Sequence, residues 1–283
     1  MQAPELSLGI TLAVLGAAFL HALWNALLKG SAGEPMLDTA LIVAGSCVVC
    51  VPLLPFVPLP AAASWPFALA SVIIHFGYYA MLAHAYRLGD LSFAYPLMRG
   101  VAPALVTILG IAFLDERLDA QTIAGIAMIC AGIVTIAWFA SGRHTGEAAA
   151  FALGNAVIIA VYTLVDGAGA RLAGNPWSYV VWLMPLEGIP FLAFVIWRRG
   201  RNSIEYILAR WRRGLIGGAA SIGAYAIVLW AMTLAPIAIV AALREVSVVF
   251  AALMGTWFLK ERFGWRRLAG AIGVAAGVAT LRL

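Results

Sequence analysis

Apolar segments long enough to cross a bilayer follow one another along this chain almost without pause. A hydrocarbon core of roughly 30 Å needs about 20 apolar residues in helical form. Of the 283 residues, 64% are hydrophobic and only 11% are charged, a balance that excludes a soluble domain of this length. A membrane β-barrel would show short segments of alternating polarity, and these are absent. The expected fold is therefore all-α and integral to the membrane. Ten spans are predicted, at 6–28, 36–58, 66–87, 91–114, 120–140, 148–170, 176–197, 214–235, 237–259 and 264–282. Short linkers make neighbouring helices antiparallel. The one long connection, residues 198–213, reads RRGRNSIEYILARWRR and suits a basic interfacial segment beside anionic headgroups.

An internal repeat divides the chain. Residues 113–136 read FLDERLDAQTIAGIAMICAGIVTI and residues 258–281 read FLKERFGWRRLAGAIGVAAGVATL, with nine of 24 positions identical at a constant offset of 145. The chain is thus expected to form two five-helix halves, 1–145 and 146–283. Five is odd, so the second half enters the membrane in the opposite sense to the first. Inverted repeats of this kind hold a substrate site near the bilayer midplane and work by alternating access. Gly125 and Gly132 in span five match Gly270 and Gly277 in span ten, and Gly273-xxx-Gly277 is a small-residue packing motif. Close intramolecular packing is the favoured reading of these glycines, with a homodimer face as the alternative, so a monomer or a homodimer is expected.

Inside this apolar frame Arg99 and Arg244 occupy matching places of the repeat, since 99 plus 145 is 244. Arg99 is the only charged residue between Asp90 and Asp115, and Arg244 sits beside Glu245. An arginine at bilayer depth costs about 2.5–3.5 kcal/mol on insertion scales and needs a partner. Each lies roughly 11–12 Å along its helix at 1.5 Å per residue, and the two helices start from opposite sides. Both guanidinium groups can therefore converge on a central, partly hydrated cavity and hold an anionic or zwitterionic ligand. Pro96, Gly100 and Pro103 flank Arg99 and bend its helix.

Other polar residues complete a candidate lining. His21, Trp24 and Asn25 share one face of span one, as ligand contacts or as an interhelical hydrogen-bonded pair, with His21 also a candidate proton carrier. His75, Tyr78 and Tyr79 fall at helical spacing in span three; Tyr95 and Met98 neighbour Arg99. Intramembrane carboxylates are functional candidates by default. Glu187, between Pro185 and Pro190, and Glu245 are expected to balance the arginines in the empty state or to serve in coupling. His84 is expected to meet Asp90, Asp166 to be a solvated helix end near Arg171, and Asp115, Glu116 and Asp119 to form a solvated turn.

Charge and cysteine usage exclude several classes. The net charge of +5 does not indicate nucleic acid, because the basic residues gather at helix ends. With Arg99 and Arg244 set aside, thirteen Lys and Arg fall on one side of the membrane and three, Arg117, Arg171 and Arg282, on the side of both termini. The positive-inside rule places the thirteen, and with them 198–213, in the cytoplasm. No Lys or Arg precedes Lys29, so the first apolar stretch lacks the basic region of a signal peptide and is expected to remain as a helix. Cys47, Cys50 and Cys130 all fall within spans and read as small apolar residues. There is no HExxH, Gly-x-Ser-x-Gly or phosphate loop; no enzyme, cofactor or metal site is expected.

The five-plus-five spans and the two copies of the FLDERLDAQTIAGIAMICAGIVTI segment resemble the EamA branch of the drug/metabolite transporter superfamily over essentially the whole chain. The resemblance implies a secondary transporter, commonly an exporter of amino acids and other metabolites, driven by protons or by exchange. Span one is also similar to the first helix of small multidrug resistance transporters, but His21 stands where those carry a cation-binding glutamate. Sugar-phosphate translocators of the superfamily carry basic residues in the helix similar to span nine, where Arg244 falls, which favours carboxylate, phosphate or phosphonate recognition. Relatives are expected to keep both termini in the cytoplasm; the charge count of this chain says the reverse and is preferred. The leading expectation is a bacterial inner-membrane transporter of a small organic anion or zwitterion, with membrane lipids and a proton or counter-substrate as partners. The alternatives are a proton-coupled exporter of cationic or multidrug compounds using Glu187, and a membrane-embedded lipid-binding enzyme or scaffold.

Overall fold

A computed structural model describes residues 7–29, 34–88, 91–139, 145–259 and 264–282. With no water to satisfy backbone groups, a segment crossing lipid must close its own hydrogen bonds. Helices accordingly account for nearly all of the described chain, and no strand occurs among the described residues. In order these are α1 (Leu8–Lys29), α2 (Pro35–Cys50), α3 (Trp65–Leu88), α4 (Leu91–Phe113), α5 (Ala120–Trp138), α6 (Gly146–Leu172), α7 (Pro176–Arg199), α8 (Arg201–Ala209), α9 (Trp211–Leu234), α10 (Ile237–Arg244), α11 (Ser247–Leu259) and α12 (Trp265–Thr280). Eight segments are long and apolar enough to cross a membrane, and Ala62–Tyr78 and Arg267–Thr280 are shorter apolar helices. Large apolar side chains such as Phe56, Ile73 and Phe113 are exposed, as lipid-facing positions require.

Local chemistry sets the helix ends. Asn175 caps α7, accepting from the N–H of Trp177 at 2.9 Å, with Pro176 at the first helical position. Asp119 caps α5 by accepting from Thr122 N–H at 2.7 Å, which holds its carboxyl below the usual range. Pro52 and Pro55 end regular α-helix at Cys50, and Val51–Phe56 continues as a 3-10 helix. The basic 198–213 segment is ordered: Gly200, at φ +63°, turns the chain from α7 into the short α8. There the Arg210 guanidinium lies 3.9 Å from the Tyr206 ring centroid, and the Tyr206 hydroxyl donates to Asp38 at 2.5 Å.

Two structural expectations need correction. Span nine was expected as one helix over 237–259, but it is broken into α10 and α11, with Glu245 and Val246 in a turn. The N–H groups of Glu245 and Val246 bond back three residues, to Ala242 and Leu243, each at 3.1 Å. The Asp115–Asp119 turn is not solvated throughout either: Glu116 is buried and accepts from the N–H groups of Ile237 (2.6 Å) and Ala238 (3.2 Å). It thereby caps α10. Arg171 joins this corner, reaching Glu116 at 3.2 Å and donating to the carbonyls of Met232 (2.8 Å) and Ala235 (3.0 Å) at the end of α9. Carboxylate at a helix start and guanidinium at a helix end is the arrangement the helix dipole favours.

Glycines let particular helices touch backbone to backbone. On α5 and α12, a Cβ at Gly132 would lie 2.6 Å from the Gly270 carbonyl oxygen, and one at Gly277 would lie 2.7 Å from that of Gly125. These glycines close on each other within one chain. The tightest approach joins α2 to α9, where a Cβ at Gly45 would sit 1.9 Å from the Gly214 oxygen. Gly45→Val should therefore destabilise the protein by about 3 kcal/mol or more, the upper end of overpacking costs, because backbone cannot yield as a side chain can. Gly16→Val is the control, since a Cβ there meets nothing within 4 Å. Thermal unfolding in detergent should show a large fall for the first variant and almost none for the second.

Helices distant in sequence pack together. Both α3 and α4 pack on α6, while α9 and the α10–α11 pair pack on α1. Helix α4 also packs on α10, which brings Arg99 toward that helix.

Candidate functional site

The break between α10 and α11 falls where the charges are. Arg99 is 3% exposed, Arg244 5% and Glu245 0%. Arg99 Nε lies 2.6 Å from Glu245 Oε2, and Arg244 Nε lies 3.4 Å from Oε1, so each carboxylate oxygen faces one guanidinium. Arg244 Nη2 also reaches the Thr163 hydroxyl of α6 at 3.5 Å, the outer limit of a hydrogen bond. The Arg99 Nε–H is not aimed along its short contact: this is an ion pair rather than a hydrogen bond, and neither Nε nor Nη2 of Arg99 has a hydrogen-bond partner among the described residues. Trp24 Nε1 is likewise buried and unpartnered there.

Each element contributes for a local reason. In α4, Pro103 removes the N–H that would bond the carbonyl of Arg99. All eight residues of α10 are buried, so its C-terminal end presents Arg244 inside the bundle, while the first turn of α11 bonds back onto the break, with Val248 N–H donating to the Glu245 carbonyl at 3.0 Å. The net formal charge of the trio is +1, because two guanidiniums share one carboxylate. An uncompensated buried charge is costly, and a bound anion would remove that cost.

Three residues of the expected lining lie near both arginines. His21, Tyr78 and Tyr95 all lie within electrostatic reach of both arginines. Trp24 meets the His21 ring edge-on at 5.1 Å between centroids. Met98 is buried, with its sulfur 3.3 Å from the Asn155 amide nitrogen. The Asn25 amide donates to the His21 carbonyl of its own helix at 2.8 Å, and not to a neighbouring helix. The side chain of Tyr79 lies outside the described residues, as does Asp90; the His84 ring stacks on Phe151 at 5.2 Å.

Glu187 is placed elsewhere. Its carboxylate accepts from Ser71 at 2.9 Å and pairs with His75 Nδ1 at 3.1 Å, so among the described residues Glu245 alone stands between the arginines. Asp166 is not a solvated end: it is 0% exposed and accepts from the hydroxyls of Tyr179 (3.2 Å) and Tyr225. Tyr179 of α7 and Tyr225 of α9 reach it inside the bundle, which sequence position near a helix end does not reveal. The intramembrane-carboxylate rule applied to Glu187 would have found it. Among the described residues no cluster of His, Cys, Asp or Glu has the form of a metal site, and all three cysteines are free and buried.

The sequence pattern of the EamA-like transporter family matches residues 7–138 and again 147–283. The chain belongs to the EamA-like transporter family. This member of the family is thus a multi-pass membrane protein. Over 58 residues it is 33% identical to the nicotine metabolites export pump subunit NepA of Paenarthrobacter nicotinovorans, a stretch that covers 20% of this chain and 50% of that protein. The chain therefore spans about half the length of the curated relative it matches. Its fold is shared with a protein of known crystal structure at a TM-score of 0.71, covering 96% of this chain and 94% of that one. At 18% identity that likeness speaks for the fold alone.

Proposed function

We propose that this EamA-like transporter is a secondary active exporter or exchanger of a small organic anion or zwitterion: an amino acid, a carboxylate, or a phosphorylated or phosphonate compound. The observation that carries the reading is the buried trio in which Arg99 and Arg244 share Glu245. A substrate acid group competes with Glu245 for the guanidinium donors and neutralises the excess charge. Planar guanidinium forks suit the paired oxygens of carboxylates and phosphonates. His21, Trp24, Tyr78, Tyr95 and Met98 then form the wall around the rest of the molecule.

Alternating access follows from two inverted five-helix halves, 1–145 and 146–283, rocking around this centre. The reciprocal packing supports it: α3 and α4 on α6 correspond, under the shift of 145, to α9 and α10–α11 on α1. The broken α10–α11 helix supports it too, since discontinuous helices present dipole ends to charged substrates in transporters. In a bacterial inner membrane the basic 198–213 segment faces the cytoplasm by the positive-inside rule.

Counterflow in proteoliposomes tests the substrate class. Uptake of a labelled amino or carboxylic acid should be inhibited by unlabelled carboxylates and phosphonates and indifferent to quaternary ammonium compounds. Inhibition by the amines alone would defeat the proposal and move attention to Glu187.

A further inference from the structure

We propose that His75, Asp166 and Glu187, with Ser71, form a proton-binding site separate from the arginine site, and that its proton is bound together with the substrate anion. The proton site stands on its own contacts; the coupling rests on the anion reading above.

Four helices converge on this cluster. From α3, His75 Nδ1 lies 3.1 Å from Glu187 Oε1, and Ser71 Oγ lies 2.9 Å from the same oxygen. Nδ1 is also 2.9 Å from the Ser71 carbonyl. From α6, Asp166 lies within electrostatic reach of both His75 and Glu187, and the Tyr162 ring sits 4.5 Å from the His75 ring. From α7 and α9, Tyr179 and Tyr225 donate hydroxyls to Asp166. On the α2 side Glu187 adjoins Gly188, which packs on Val43 and Cys47, and Cys47 is a neutral thiol. No Lys or Arg is among the contacts of Glu187 or Asp166 within the described residues.

Charge counting gives the site its function. Counted with both carboxylates ionised and His75 protonated, the cluster sums to −1, in a place where an unpaired charge is strongly disfavoured. One further proton, taken from water onto the carboxylates, neutralises the cluster; its apparent affinity belongs to the group as a whole. The arginine trio carries the opposite excess of +1. One turn of α6 touches both: Tyr162 lies on His75, Thr163 contacts Arg244, and Asp166 belongs to the cluster. The two unloaded sites are thus neutral together. An anion at the arginines leaves the −1 cluster uncompensated, and a proton restores neutrality. The pair of sites is neutral in two states, empty of both or holding both, so each ligand raises the affinity for the other. On release the anion returns to one side with its proton, which passes back to water.

Infrared difference spectra of the purified whole protein between about pH 5 and pH 9 should show the carbonyl stretch of a protonated carboxylic acid. The band should be lost in Asp166→Asn or in Glu187→Gln; two variants guard against one failing to fold. No titrating band in wild type, or an unchanged band in both variants, would overturn the site. For the coupling, benzoate and phenylacetate serve as probes, because both are monoanions whose charge is constant between about pH 6 and pH 8. Their affinity, read from thermal stabilisation, should be higher at the lower pH by a factor within about 5–150, the usual range of coupling between sites. The difference should vanish in Asp166→Asn. Equal affinity at both pH values with the band still titrating would overturn the coupling. Absence of binding by either probe at any pH would sink the arginine reading, and the coupling with it, while supporting the proton site as an independent feature.

Discussion

Glu245→Gln should destabilise the folded protein by about 3–5 kcal/mol, the usual cost of removing one partner from a buried ion pair. Among the described residues Glu245 alone is ion-paired with both guanidiniums, and all three groups are 5% exposed or less. The amide keeps the size of the side chain and removes its charge, so the trio passes from +1 to +2 in a low-dielectric interior. Adding Arg99→Met to the same chain returns the formal charge to +1, and most of the lost stability should come back. Thermal unfolding of the single and double variants in detergent reads this directly. A double variant no more stable than Glu245→Gln would show that packing, and not charge, holds the trio together.

Arg244→Ala should separate binding from folding. It leaves Arg99 and Glu245 as a one-to-one pair, so the charge excess disappears and the structural cost is limited to lost packing. The substrate site, by contrast, loses a guanidinium fork and the excess charge that favours an anion. Truncating one partner of a buried, hydrogen-bonded charge pair costs about 2–5 kcal/mol, which corresponds to an anion affinity weaker by roughly 30-fold at the least. Transport of anions at the wild-type rate by Arg244→Ala would mean that the pair does not hold the substrate.

The helical membrane fold was legible because lipid leaves a spanning segment so few options, and the arginines because a charge at that depth demands a reason. The break in the ninth span was not. Prolines at 96 and 103 mark α4 as the bent helix, yet α4 runs unbroken from Leu91 to Phe113. Its repeat partner has neither Pro nor Gly between Arg244 and Ser247, and it is the one that breaks. Local signals describe what a helix tolerates; here the break coincides with Glu245, whose carboxylate is drawn between two arginines, one of them on another helix. Asp166 and Glu116 were misread for a related reason. Asp166 finds its hydroxyl donors 13 and 59 residues away, and Glu116 caps a helix 121 residues on. Such pairings exist only in the packed bundle. The identity of Glu116 and Glu261 in the two repeat copies was the available hint that this carboxylate is more than a solvated turn residue.

The most direct single measurement is thermal stabilisation of purified wild-type protein, beside Arg244→Ala, across carboxylates, amino acids, phosphate esters, phosphonates and quaternary amines. A ligand that binds only the folded state raises stability by mass action, about 2.7 kcal/mol at a hundred times its Kd. Stabilisation of the wild type by acids, lost in Arg244→Ala, is the expected outcome and names the chemical class to carry into transport assays. Stabilisation of both proteins by amines, with none from acids, would refute an anion site built on Arg99 and Arg244.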